Sequence, residues 1–141
     1  MNTRMIALAV APLAALALTA GPALAGGSGG KLKAPTAAQK AAIMKAGGFK
    51  GPARCYTIHL SASKTTLAGA RFNTKAANCT KYAFNGAGLY YGTSSKKTWY
   101  LLSAGSALGA DKCDALQALA GGAAWEDLTP YVTTLGCQNI D

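Results

Sequence analysis

Acidic side chains are missing from most of this chain. Residues 26–110 contain no Asp or Glu, and the five acids are Asp111, Asp114, Glu126, Asp127 and Asp141. Glycoside hydrolysis usually needs two carboxyl groups flanking the scissile bond, so most of the chain has no means of supporting it. Histidine occurs once, as His59, and no two cysteines have C-x-x-C spacing. One imidazole and scattered acids do not make a metal cluster, and four widely spaced cysteines do not read as structural zinc. No metal and no cofactor is expected. After residue 25 no apolar run approaches the roughly 20 residues that a bilayer span needs.

The apolar run that does exist lies at the start. Arg4 supplies a positive charge, "MIALAVAPLAALALTA" an apolar core, and "ALA" at 23–25 a small-residue cleavage site. A membrane anchor is the competing reading, but the run carries Pro12 and stops at Gly21-Pro22. Residues 1–25 are therefore expected to be a signal peptide, and residues 26–35, beginning "GGSGGKLKAP", a flexible tether. Residues 36–141 then form one domain with a modest core. Export places the protein outside the cell or in the cell envelope.

Cys55, Cys79, Cys113 and Cys137 all follow the signal, an even number in an oxidising compartment, so two disulfides are expected. Three pairings are formally open. Local pairing of Cys55 with Cys79 and of Cys113 with Cys137 is favoured, each loop contributing roughly 3–4 kcal/mol by chain entropy. Charge divides the chain at the same place as the acids do. Residues 26–110 carry twelve Lys or Arg and no acid, whereas residues 111–141 carry one Lys and five acids, for +8 beyond residue 25. Such a field attracts an anionic polymer or surface, or an acidic protein, and it also keeps an Ala- and Gly-rich chain in solution. Only Arg54 and Arg71 among these cations are arginines, which weakens bidentate phosphate or guanine recognition.

Patterning predicts an α+β domain. Thr36 and Gln39 have capping-box spacing before "AAQKAAIMKA", and Gly47-Gly48 supply the stop of an N-terminal helix. Residues 54–62 alternate, with Tyr56, Ile58 and Leu60 on one side and Cys55, Thr57, His59 and Ser61 on the other, as a half-buried strand does. "LAGARFN" is a second strand, weakened by Gly69, and "KYAFNG" leads through an Asn-Gly turn to "GLYYG" and "TWYLLSA", a hairpin around "GTSSKK". An antiparallel sheet of four or five strands results. Two short helices follow, one capped by Asp111 and one opened by Thr129-Pro130, while Glu126 and Asp127 read as solvated.

The order "CYTIHLSAS", "ARFN", "CTKYAFNG" and "TWYLLSAGS", closed by a cysteine-bounded helical tail, resembles small secreted actinobacterial proteins of uncharacterised function. The resemblance implies export and disulfides, and no defined activity.

Catalytic patterns fail on geometry. Cys55 and His59 share a strand face about 13 Å apart, against the roughly 3 Å that a nucleophile and base need. "GGSGG" spells a nucleophile elbow inside the tether, and "SASK" and "SSKK" match S-x-x-K inside turns, with no S-D-N or K-T-G. "GAGLYYG" misplaces its third glycine for a dinucleotide loop. Lysines do interleave with rings along the hairpin, a pattern suited to stacking plus charge, although strands favour aromatics for packing as well. The reading is a monomeric, non-enzymatic binding protein for an anionic partner. Arg71, Lys81, Lys96 and Lys97 would supply charge, with Tyr90 and Tyr91 as contacts. The alternatives are an interaction module such as a hydrolase inhibitor, or a small hydrolase that uses Ser or His59.

Overall fold

A computed structural model of the chain describes residues 30–137; the expected signal peptide and residues 26–29 lie outside the described residues. Helix α1 (Ala37–Gly47) begins where the sequence predicts. The Thr36 hydroxyl accepts the Gln39 N–H at 3.1 Å and the Gln39 side chain accepts the Thr36 N–H at 2.9 Å, which satisfies two otherwise orphaned donors. Gly48, at φ 66°, takes the left-handed conformation that ends the helix.

Five strands form one antiparallel sheet in the order in which they occur: β1 (Leu32–Lys33), β2 (Tyr56–Ser61), β3 (Leu67–Phe72), β4 (Ala87–Gly92) and β5 (Trp99–Gly105). β1 is a departure from the tether reading of residues 26–35. Leu32 pairs with Ser61, and the Gly30 N–H donates to the Glu126 carbonyl at 3.0 Å. Two residues are too few to show alternation, so only the tertiary contacts reveal the strand.

The central strands are covered on both faces, where the sequence suggested one, while β5 stays largely exposed. α1 covers the first face, with Ile43 packed among Tyr56, Ile58, Leu60, Ala68, Ala70 and Tyr90. On the second face lie α2 (Ala110–Ala120), α3 (Gly122–Asp127) and α4 (Thr129–Thr134). There Leu67, Ala87 and Leu89 meet Leu116, Trp125, Leu128, Tyr131, Val132 and Leu135. Each layer has its own disulfide, Cys55–Cys79 in the first and Cys113–Cys137 in the second, as the local pairing predicts.

Among the described residues the tail contains three helices and not two. α3 forms from the Ala-Ala-Trp run after Gly121, good helix-forming and apolar residues that bury Ala124 and Trp125. Asp111 is not a cap: Gly109 occupies that position without a side-chain bond, and Asp111 sits in the first turn, where its charge complements the helix dipole. Thr129 lies inside α4 and its hydroxyl donates to the Glu126 carbonyl at 2.6 Å, linking the two short helices.

Gly69 explains how the second layer approaches so closely. It stands opposite His59 in the β2–β3 register, and a Cβ at this position would run into the Tyr131 ring. Gly69→Ala should therefore displace α4 and cost about 1–3 kcal/mol, the usual penalty for overpacking. Urea unfolding would detect this as a lower midpoint at unchanged slope.

Candidate functional site

β2 puts Thr57, His59 and Ser61 on the face that α3 and α4 cover; Thr57 opens to a groove, whereas the more enclosed Ser61 and His59 find partners. Ser61 is fully buried and donates its hydroxyl to Asp127 at 2.7 Å. The same carboxylate accepts the N–H of Ser63 at 2.8 Å and of Lys31 at 2.7 Å. Asp127 is thus a buried structural anchor, correcting its reading as a solvated acid; Glu126 beside it is exposed. Burial alone would raise its pKa, but the hydrogen bonds from Ser63, Ser61 and the Lys31 backbone outweigh that and hold it at about 2.

His59 is half-buried and its Nδ1 lies 2.6 Å from the Tyr131 hydroxyl. Arg71 stands 5.6 Å from the centroid of the same ring, and its guanidinium donates to the Pro130 carbonyl at 3.5 Å. Desolvation, then the positive charges of Arg71 and Lys40, lower the His59 pKa, so the ring is neutral at pH 7. A serine, a histidine and an aspartate therefore share one face without forming a relay, because Ser61 bonds Asp127 directly and His59 bonds Tyr131. Cys55 is bonded to Cys79 and is not a thiolate nucleophile. In the S-x-x-K stretch at 61–64, the Lys64 ammonium reaches the Leu119 carbonyl at 3.3 Å instead of the serine.

The cations predicted to form one site are divided between the two ends of the sheet. Lys96 and Lys97 lie in the β4–β5 turn, closed by the Thr93 N–H donating to Thr98 at 3.0 Å. Arg71 and Lys81 lie at the other end, roughly 20 Å away along strands of six residues. The adjacent tyrosines also separate. Tyr91 is 42% exposed and stacks on Tyr100 at 5.1 Å, whereas Tyr90 is 1% exposed and belongs to the core. A register irregularity between Leu89 and Tyr90 accompanies this division.

At the Arg71 end the connection 73–86 arches over the sheet, fastened by Cys55–Cys79 and by Arg54 donating to the Ala77 carbonyl. Two grooves open beside the arch. The first, about 510 Å³, is lined by Arg71 and Lys75 together with Thr57, Thr74, Asn85 and Phe84. The second, about 390 Å³, runs between the end of α1 and the arch, with Phe49, Tyr82, Phe84 and Leu101 as apolar walls and Lys50 and Lys81 among its lining. Neither is lined by a carboxylate. Lys75, Asn85 and Lys50 were not singled out from sequence: they occupy loops, where no periodicity marks which way a side chain faces.

No helix among the described residues is long and apolar enough to cross a membrane, and no group of His, Cys, Asp or Glu there is arranged to hold a metal. Compared with known proteins, the chain matches no family model, no curated protein and no solved structure.

His59 and Asp127 make stability fall in acid. The His59 pKa is lowered from 6.5, so the unfolded chain binds that proton more tightly, and unfolding becomes easier as pH drops below about 6.5. Asp127, lowered from 3.8 to about 2, stabilises the fold above that interval, and its contribution disappears as pH falls through it. Urea unfolding between pH 7.5 and 2.5 should show both stages, and His59→Gln should flatten only the upper one. A wild-type unfolding free energy that stays level from pH 7 to 5 would contradict this account of His59.

Proposed function

We propose that the protein is an exported, non-enzymatic binding protein whose partner is an anionic polymer or surface, engaged at the Arg71 end of the sheet. The observation that carries this reading is the first groove, which places Arg71 and Lys75 beside neutral hydrogen-bonding side chains with no carboxylate in its lining. Arg71 is held in place by the Tyr131 ring and the Pro130 carbonyl, so little side-chain freedom is lost when an anion arrives. Lys50 and Lys81, lining the neighbouring groove, add to the same field. The buried acid nearest in character to a competitor, Asp127, is already occupied by Ser61, Ser63 and Lys31.

Affinity in such a site comes mainly from displaced counterions and is steeply salt-dependent. Lys96 and Lys97 are too distant to share one short segment of ligand with Arg71, so they contribute to attraction and not to the groove. Two disulfides are compatible with an oxidising compartment, which supports the exported reading.

A heparin oligosaccharide serves as the polyanion probe. Arg71→Glu with Lys75→Glu should weaken its binding at least about tenfold and lower the slope of log K against log salt by about 2. Lys96→Glu with Lys97→Glu should cost less, and the reverse ranking would move the site to the hairpin. Absence of salt-sensitive binding by the wild-type protein would remove the reading.

A further inference from the structure

The second groove has a feature that charge does not explain. Its lining includes Gly47, Gly88 and Tyr90, and a Cβ on either glycine would meet the Tyr90 hydroxyl. That hydroxyl therefore lies at the floor, between the end of α1 and β4. Tyr90 is 1% exposed, yet its hydroxyl has no hydrogen-bond partner among the described residues, while the buried Tyr131 hydroxyl has His59. Among the described residues the fully enclosed side-chain polar atom without a partner is Trp125 Nε1, so the Tyr90 hydroxyl keeps some surface open to the groove, and its proton is available to an acceptor bound there. Burial raises its pKa to about 12, so at neutral pH it is a donor and never an acceptor-only phenolate.

The walls above it are flat and apolar. Phe49 stacks on Tyr56 at 4.7 Å and on Phe84 at 5.2 Å, with Tyr56 and Phe84 6.1 Å apart, forming a cluster of near-parallel rings, and Leu101 on β5 is 45% exposed on the opposite side. Lys50 and Lys81 complete the lining with positive charge. The combination has three parts: a donor at the bottom, ring faces along the sides, and cations in place of acids.

We propose that this groove binds a small flat aromatic anion, with an oxygen at one end accepting the Tyr90 hydroxyl, its rings against Phe49 and Phe84, and its carboxylate or related acid at Lys50 and Lys81. The ligand is a different kind of molecule from the polyanion of the first groove, and the two sites stand or fall separately. Aromatic stacking supplies sequence-independent affinity for flat groups, and the hydroxyl supplies discrimination, because a partner that lacks the oxygen leaves the donor unpaired.

The probe is 6-hydroxy-2-naphthoate, which carries its hydroxyl and carboxylate at opposite ends of a flat bicycle. 2-Naphthoate and 2-naphthol each lack one end. Titration calorimetry should show 6-hydroxy-2-naphthoate binding one-to-one and about fivefold or more tighter than either. Tyr90→Phe, which keeps the ring and removes only the oxygen, should weaken 6-hydroxy-2-naphthoate about tenfold and leave 2-naphthoate within about twofold. Leu101→Glu, at an exposed position that the fold tolerates, should weaken both acids and spare 2-naphthol. Heparin binding should survive Tyr90→Phe, which separates this site from the first groove. Equal affinity for all three naphthalenes, no binding below about 1 mM, or indifference to Tyr90→Phe would each overturn the proposal.

Discussion

A polar side chain on a covered sheet face is costly to leave unpaired, and the alternation of β2 turns that constraint into architecture. Tyr56, Ile58 and Leu60 satisfy the α1 side by packing alone. On the other side Ser61 and His59 must be met by hydrogen-bonding partners, and they are met by Asp127 and Tyr131 from two successive short helices. Those bonds fix where α3 and α4 lie on the sheet. The helices in turn hold Arg71 through Tyr131 and Pro130, so the position of the principal cation of the first groove follows from how a buried histidine and serine are satisfied.

The catalytic look of this face has the same origin. Serine, histidine and aspartate converge because they pair with structural partners, not with one another. A hydroxyl that already donates to a carboxylate, and an imidazole that already faces a phenol, are satisfied groups. Their value is in orienting elements, and their titration shows in stability.

Much of the fold was legible in the sequence because its signals are local. The capping box at Thr36 and Gln39, the alternation of 56–61, the hairpin around "GTSSKK" and the local pairing of cysteines each involve residues a short distance apart. What escaped depends on distant residues. Asp127 is separated by 66 positions from Ser61, and nothing in "WEDL" announces that the second acid turns inward while the first stays in water. In "YY" both residues have the same preferences; only the register at Leu89 and Tyr90 decides that one enters the core. The candidate site was half legible for the same reason. A count of charges identified the basic portion, yet it did not show that strand length divides Lys96 and Lys97 from Arg71, or that a disulfide-bound arch brings Lys75 and Asn85 to the groove.

The short strand β1 also sets an orientation for the whole molecule. Its pairing with the end of β2, together with the Lys31 N–H on Asp127, makes the backbone enter the fold beside Ser61, while both grooves open at the far end of the strands. Any support attached through the amino-terminal side would hold the protein by its back. Among the described residues the grooves would then face away from that support, at the opposite end of the strands.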